Sequence, residues 1–258
     1  MNFSVELETI VTDNLKMDYF LVPWDTEIFN RPVAQISTIE IDNQSQAKKD
    51  LKLYQEWCDQ QKIEFCSCRI AHDKIKESIF LEEQGFRFIE LNYQPVLTDL
   101  QKLTFNDSDI QIAVADEHDQ PLLADAAETI FHHERFHIDP RINSDLANNR
   151  YRIWLENGFK LPQQTVLKCT LNSQIIGFFV IEYPEPKHCF WSLVGILPNY
   201  QGQGLGKKVW QAMLHWHQMA GVERVSTSIS SHNIAVFNLY VPLGFRFPMP
   251  NTTFHWAI

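Results

Sequence analysis

The stretch that decides the fold reads Ile196-Leu197-Pro198-Asn199-Tyr200-Gln201-Gly202-Gln203-Gly204-Leu205-Gly206-Lys207-Lys208. It predicts a strand end, a turn with alternating glycines and a helix start in direct succession. Glycine lets the backbone bend close to a ligand, and the free N–H groups of a first helical turn attract an anion. The stretch therefore indicates either an anion-binding loop or a tight strand-to-helix turn without a ligand.

Two common phosphate-binding motifs do not fit this stretch. The pattern G-x-G-x-x-G would require glycine where Lys207 stands. The Walker loop would require glycine at Gln201 and Ser or Thr at Lys208. Neither a dinucleotide site nor an ATP site is predicted.

The composition is that of a globular protein. The 258 residues are 45% apolar and 21% charged, which suits one large domain or two modest ones. They contain no run of about 18 apolar residues, as a membrane span requires. The net charge of −10 disfavours binding to nucleic acid or to anionic membranes. Because Met1 to Glu6 show no signal-peptide pattern, we expect a cytoplasmic protein whose five cysteines are reduced thiols.

Glycines and turn formers divide the chain unevenly. Eight of the nine glycines lie at or after Gly158, so loop chemistry is expected in the second half. Turn formers near residues 98–109 predict a boundary between an N-terminal domain, 1–105, and a chemistry-bearing domain, 106–258.

A short internal echo suggests that these domains are related. Phe80 to Phe88 aligns without gaps with Leu239 to Phe247, and both segments end in Gly-Phe-Arg-Phe. In each copy a helix is expected to stop at the glycine and feed a strand. The first copy has Leu81 where the second has Tyr240, so chemistry is expected in the second domain alone.

Periodicity in the second part predicts a mixed sheet with flanking helices. Antiparallel hairpins exclude a purely parallel doubly wound sheet. The predicted strands are Ile110–Val114, Val166–Thr170, Ile175–Tyr183, Cys189–Leu197 and Val225–Ile229. The predicted helices are Glu117–Phe131, residues 143–157 and a helix starting at Gly204.

Two motifs in this part resemble those of the GNAT superfamily of acyl-CoA N-acyltransferases. Gln201, Gly204 and Gly206 match its Q/R-x-x-G-x-G/A pyrophosphate loop, and the run from Asn233 to Tyr240 matches its N-x-x-A-x-x-x-Y pattern before Gly-Phe. The resemblance covers residues 110–258. It implies an α/β (α+β) GNAT fold, with a mixed, mostly antiparallel central sheet flanked by helices and a degenerate GNAT-like N-terminal unit. It also implies acetyl-CoA as cosubstrate, bound by Ile196, Leu197, Pro198, Gln201, Gly202, Gln203, Gly204, Leu205, Gly206, Lys207 and Asn233.

The whole chain also resembles the dTDP-fucosamine acetyltransferase group. The similar segments are Pro23 to Asn30, the Gly85-Phe86 hairpin and Arg135 to Pro140. This resemblance implies an N-acetyltransferase that acts on an amino sugar carried by a nucleotide. The alternatives are acetylation of another small amine, such as an amino acid, polyamine or aminoglycoside, and a CoA-binding module without turnover.

The GNAT resemblance assigns Tyr240 as the proton donor to the departing thiolate, which suits a phenol pKa of about 10 against about 8.5 for a thiol. The backbone of Leu193 to Leu197 is expected to pair with the pantetheine amides and to hold the carbonyl oxygen. Pro242 disfavours helical angles at Val241, so the helix is expected to end early. The general base stays open among Glu134, His137, Glu182, His188 and a water relay.

The segment from His132 to Arg141 allows three interpretations: an acceptor-binding loop, a metal site or a solvated loop. We favour the first, because Arg135 and Arg141 would grip a diphosphate while Phe136 stacks on a base or sugar and His137 lines the site. We expect no metal. The expected partner is a small-molecule acceptor amine, with no nucleic acid and no membrane, and homodimer formation is left open.

Overall fold

The computed structural model describes residues 5–258, which form two compact units. The first unit contains the residues up to Asn92 together with Ile138–Leu146 and Met249–Ile258. The second contains Tyr93–His137 and Ala147–Pro248. Within the described residues, no helix is both long and apolar enough to cross a membrane. Of the residues Met1 to Glu6, in which no signal-peptide pattern was found, Met1 to Ser4 lie outside the described residues.

The elements follow one another as an alternation of strands and short helices. The strands are β1 (Glu8–Val11), β2 (Leu15–Leu21), β3 (Val33–Ile41), β4 (Phe65–Ala71), β5 (Arg87–Tyr93), β6 (Val96–Leu97), β7 (Gln111–Val114), β8 (Gln164–Leu171), β9 (Gln174–Glu185), β10 (His188–Ile196), β11 (Arg224–Thr227), β12 (Ile229–Ser230) and β13 (Asn251–Ala257). The helices are α1 (Pro23–Phe29), α2 (Gln44–Asp50), α3 (Lys52–Gln61), α4 (Ile75–Glu83), α5 (Gln120–Ile130), α6 (Arg135–Ile138), α7 (Ser144–Gly158), α8 (Leu205–Met219) and α9 (Ile234–Tyr240). Short 3-10 turns lie at Leu100–Lys102, Pro198–Tyr200 and Val241–Leu243.

The first unit is built on a sheet in which its strands run in the order β1-β2-β3-β4-β13-β5. The C-terminal strand β13 is antiparallel to both β4 and β5, so the end of the chain completes this sheet. Cys66, Cys68 and Phe254 lie on its apolar face, where they share a buried cluster with Phe80 and Leu81 of α4.

These units divide the chain differently from the boundary predicted at residue 105. The segment after Asn92 joins the second unit because β6 pairs with β11, through Val225 with Leu97 and Ser226 with Val96. The last residues join the first unit because β13 pairs there. Turn formers near 98–109 instead surround a 3-10 turn of the second unit.

The second unit has a six-stranded sheet in the order β6-β11-β10-β9-β8-β7. Only β10 and β11 are parallel neighbours in it, so the predicted mixed, mostly antiparallel sheet is confirmed. The turn Asn172-Ser173 joins β8 and β9, with φ of 50° and 62°. The predicted strand at 225–229 is interrupted at Ser228, which separates β11 from β12.

Two buried clusters cover opposite faces of this second sheet. Successive β9 side chains alternate between them: Phe179 and Ile181 join α8 and α9, whereas Phe178 and Val180 join α5 and α7. The predicted helices of the second unit all form, with ends shifted by a few residues.

The internal echo is a repeated helix ending. In the first unit Gly85 has φ of 89°, Gly85 N donates to Glu82 O (3.0 Å) and Phe86 N to Leu81 O (3.0 Å). In the second unit Gly244 has φ of 88°, with Gly244 N donating to Val241 O (3.0 Å) and Phe245 N to Tyr240 O (3.3 Å). Both are glycine-terminated turns of the Schellman type. The first copy is followed by strand β5, as predicted, whereas the second is followed only by an isolated β-bridge between Arg246 and Val96.

Candidate active site

Strand β10 separates from its parallel neighbour halfway along its length. The register with β11 ends at the pair Trp191–Thr227, whereas β9 continues to pair with β10 up to Ile196. A β-bulge lies between Trp191 and Leu193, and Thr227 Oγ1 donates to the Trp191 carbonyl oxygen (2.8 Å) at the branch. Beyond the branch, β10 can offer backbone groups to an extended ligand with amide groups.

The glycine loop follows directly after this open segment. Gly202 and Gly204 both have φ of +72°, which a residue with a Cβ rarely adopts. Gln201 Nε2 donates to the Ile196 carbonyl oxygen (2.8 Å), and Gln203 Nε2 donates to that of Asn199 (2.7 Å). These side chains bind carbonyl groups of the segment, so they do not occupy the N–H groups at the start of the helix that follows.

Helix α8 begins in this loop with Gly204 at its N-cap and no side-chain cap. Its first N–H groups therefore lack the internal partner that a capping side chain usually provides. A fifteen-residue helix also has a dipole that favours an anion at this end. The geometry suits a pyrophosphate, with Lys207 and Lys208 exposed on the next turn.

Gly195 lies within the predicted backbone range Leu193 to Leu197, but the sequence analysis missed how closely other side chains pack against it. A Cβ there would collide with Ile130 of α5 and approach Phe178 of β9 to 3.0 Å. The close approach places the end of α5 directly over the open segment of β10. A glycine inside a strand was the available signal for this contact.

Asn233 and Tyr240 mark the two ends of α9. Asn233 is the N-cap, and its side chain accepts from Val236 N (3.3 Å). Tyr240 ends the helix as Pro242 led us to expect, although Val241 keeps helical angles of −55° and −53°. A 3-10 turn follows from Val241 to Leu243.

The Tyr240 side chain is 1% exposed and lies among Phe245, Trp210 and Trp191, at centroid distances of 4.6, 6.3 and 6.4 Å. Burial raises the pKa of Tyr240, and the side chains of Trp210 and Thr227 oppose that rise. The phenol is therefore protonated at neutral pH. The influence of Thr227 places it near the branch between β10 and β11, where a buried proton donor could act.

Helices α6 and α7 bring a cluster of rings and guanidinium groups together in the second unit. The Arg135 guanidinium lies 4.4 Å from the centroid of the Phe136 ring, and that of Arg150 lies 4.7 Å from the same ring. Arg150 also approaches Trp154 (5.4 Å) and Tyr151 (5.9 Å). Sequence reasoning missed Arg150 and Trp154, because nothing in their spacing distinguished them from ordinary helix residues.

Arg141 belongs to the first unit, whereas Arg135, Phe136 and His137 belong to the second. Its guanidinium holds the Asp139 carboxylate through two bonds, Nε to Oδ1 (2.9 Å) and Nη2 to Oδ2 (2.8 Å). Burial would raise the pKa of Asp139, but hydrogen bonds from His255 and Arg141 outweigh it and hold the pKa well below its usual value. A diphosphate would have to displace this carboxylate from Arg141.

The metal interpretation of the same segment gains no support from geometry. Across residues 5–258, no three His, Cys, Asp or Glu side chains are grouped so that they could hold a metal ion. His137 instead bonds Asn148.

Part of the chain resembles a known protein family. Residues 125–245 match the family model described as Acetyltransferase (GNAT) family. The curated Spore coat polysaccharide biosynthesis protein SpsD of Bacillus subtilis is 16% identical over 227 residues, covering 86% of this chain and 76% of that protein.

Solved structures extend the likeness over both units. A functionally unknown conserved protein from Staphylococcus epidermidis has a TM-score of 0.69 and 18% identity, over 99% of this chain and 96% of that one. A tandem GNAT protein from the clavulanic acid biosynthesis pathway has a TM-score of 0.62 and 9% identity, over 100% of this chain and 84% of that one. The predicted GNAT fold is confirmed, and the tandem protein fits an arrangement of two units.

Proposed function

We propose that acetyl-CoA binds along β10 and the glycine loop of this chain, whose residues 125–245 match the GNAT acetyltransferases, acyl-CoA-dependent enzymes that acylate small amines. The uncapped N–H groups at the start of α8 would hold its pyrophosphate. Residues Ser192 to Ile196, which extend beyond the register with β11, would pair with the pantetheine amides. The thioester would then lie beside the branch at Trp191 and Thr227.

At that position Tyr240 would protonate the departing sulfur. Its side chain is buried among aromatic rings, and its raised pKa keeps the phenol protonated, so that the hydroxyl can donate to the sulfur as it leaves. A backbone N–H of the bulge near Leu193 would stabilise the carbonyl oxygen as it becomes negative.

We propose a nucleotide-linked amino sugar as the acceptor. The observation that carries this choice is the cluster of Arg135, Phe136 and Arg150, which combines cations with flat rings. Guanidinium groups bind phosphates bidentately, and aromatic rings stack on bases and sugars. The similarity to a protein named for polysaccharide biosynthesis supports the same substrate class.

The test is a comparison of acceptors at saturating acetyl-CoA. We expect dTDP-fucosamine to be acetylated with a much higher kcat/KM than free fucosamine, lysine, spermidine or kanamycin. Brisk acetylation of a free amine together with no turnover of any nucleotide-linked sugar would transfer the function to the other small-amine class.

An Arg135→Ala variant tests how the acceptor is held. Loss of a charge-assisted pair worth about 1.5–3 kcal/mol would weaken the nucleotide-linked acceptor about 10- to 150-fold. Affinity for acetyl-CoA should not change, and acetylation of the free amino sugar should hardly change. Equal losses on both acceptors would show that Arg135 is structural.

A further inference from the structure

The His137 ring is fixed in one tautomer by Asn148 of α7. His137 Nε2 lies 2.9 Å from Asn148 Oδ1, and a carboxamide oxygen can only accept. The proton of the neutral ring is therefore on Nε2, which leaves a lone pair on Nδ1. Among residues 5–258, this buried Nδ1 has no hydrogen-bond partner. A buried lone pair without a partner is costly, and an N–H group of a ligand would satisfy it.

The surroundings of His137 keep it neutral. Burial lowers its pKa, the Asn148 hydrogen bond opposes this, and the nearby His132, Arg150 and His133 lower it further. The ring also stacks on Tyr151, at a centroid distance of 5.5 Å and an interplanar angle of 24°. At neutral pH the side chain can therefore accept a proton.

Packed side chains connect the His137 ring with the open segment of β10. Tyr151 stacks on Phe131 (4.7 Å), which follows α5, and both pack in the cluster that contains Leu193 and Leu197 of β10 and its continuation. Tyr240 belongs to the cluster on the other face of the same sheet. A thioester at the edge of β10 would then have a base on one face and an acid on the other.

The other candidate bases fit less well. His188 pairs with Arg224 in the closed part of β10, and its Nε2 lies 2.6 Å from the hydroxyl of Ser226, which does not fix a tautomer. Glu182 of β9 pairs with Phe190, which precedes the bulge between Trp191 and Leu193, and its carboxylate accepts from Gln164 Nε2 (2.8 Å). Glu134 stands one turn before His137, so it is the candidate that the experiment must separate.

We propose that His137 is the general base of the acetyl transfer and that Asn148 positions it, an inference that rests on the proposed function. His137 Nδ1 takes a proton from the acceptor ammonium. The freed amine attacks the thioester carbon, a C–N bond forms, and the C–S bond breaks as its electron pair leaves with sulfur.

The protons balance in this sequence. Tyr240 donates one proton to sulfur, and the extra proton on the new amide nitrogen replaces it through solvent. His137 returns its own proton to solvent. One proton is thus released for each ammonium group that becomes an amide, as the overall reaction requires.

The test compares His137→Gln, Asn148→Ala and Glu134→Gln on the amine that the wild type acetylates fastest among the five named above. We expect His137→Gln to lower kcat about 100- to 10,000-fold, the usual range for general acid–base catalysis, with acetyl-CoA affinity unchanged. In the pH profile of kcat/KM, the decrease toward acid pH that the wild type owes to protonation of His137 should be absent from His137→Gln. His118→Gln, which changes an exposed histidine of the same unit, is the matched control and should behave as wild type.

Asn148→Ala gives a readout that a purely structural role would not give. Because the Asn148 hydrogen bond raises the pKa of His137, its loss should move the acid limb to lower pH. Nitrogen NMR of the histidine side chains should show His137 protonated on Nε2 in the wild type.

Full activity of His137→Gln, or a loss in Glu134→Gln alone, would overturn the assignment of the base. Turnover of a free amine, but of no sugar nucleotide, would overturn only the acceptor class. Absence of turnover with all five amines would overturn both.

Discussion

Replacing His217 by Gln removes a titrating group from the core of the second unit. His217 is fully buried, and its Nε2 accepts a hydrogen bond from Trp191 Nε1 at 2.9 Å. Burial lowers the pKa of His217 from 6.5 to about 4. A glutamine carbonyl can accept from the same indole, so the variant keeps an acceptor while it loses the titration.

The sign and size of the effect follow from these values. As pH falls, the unfolded chain, with a histidine pKa of about 6.5, binds the proton before the folded chain does, so acid favours unfolding. The stabilisation is fully present above about pH 6.5 and is lost as pH falls toward 4. At about 1.36 kcal/mol per pKa unit the total is about 3 kcal/mol, of which about 2 kcal/mol is lost by pH 5.

The assay is urea unfolding of wild type and His217→Gln, followed by circular dichroism at about pH 7 and pH 5. The wild type should lose about 2 kcal/mol more than the variant over this interval. His215→Gln, two residues away on the same helix, is the control and should follow the wild type. An equal loss in wild type and His217→Gln would refute the reasoning.

Three further substitutions test the site and its supports. Gly204→Glu should raise the Kd for acetyl-CoA by roughly 100-fold or more, because it strains a positive φ and puts a carboxylate in the proposed anion site. Gly221→Glu, with φ of +80° at the far end of α8, is the control and should leave this Kd unchanged in the same calorimetric titration. Tyr240→Phe should lower kcat by roughly 100-fold with an unchanged acetyl-CoA Kd, and normal turnover would remove the hydroxyl from the mechanism. Arg141→Ala should lower the free energy of unfolding in urea by about 3–5 kcal/mol, because it leaves the Asp139 carboxylate buried without this partner. Arg152→Ala, whose partner Asp125 is 68% exposed, should lower it by less than about 1 kcal/mol, and equal losses would contradict this reasoning.

Features set by local backbone chemistry were predictable from the sequence. The glycines at 202 and 204, the start of α8 and the Asn172-Ser173 turn each depend on a few adjacent residues whose φ values are restricted. The helix end at Tyr240 depends on Pro242 and Gly244 in the same way. For these, propensity and tertiary structure agree.

Long-range pairing was not predictable in this way. Strand β13 inserts between β4 and β5, more than 150 residues from either, and nothing in its sequence specifies that partner. The division into compact units depends on the same pairing, whereas the boundary predicted at 105 was based on local turn formers alone. Arg141 illustrates a chemical ambiguity, because a guanidinium pairs with a carboxylate and with a diphosphate by the same bidentate geometry, and only the fold shows that Asp139 is beside it.

The repeated helix ending separates the structural role of Tyr240 from the proton-donor role that we propose for it. Leu81 and Tyr240 occupy the same place in the two glycine-terminated turns, both are buried, and each carbonyl accepts from the phenylalanine N–H that follows the glycine. The turn therefore forms without a hydroxyl at this position. A buried hydroxyl is unfavourable in an apolar site unless it is hydrogen-bonded, and the side chains of Trp210 and Thr227 lie close enough to act on that of Tyr240. Since the turn forms in the first copy with a leucine, replacing Tyr240 by Phe should leave the helix ending intact while it removes the proton donor that we propose beside the branch of β10 and β11.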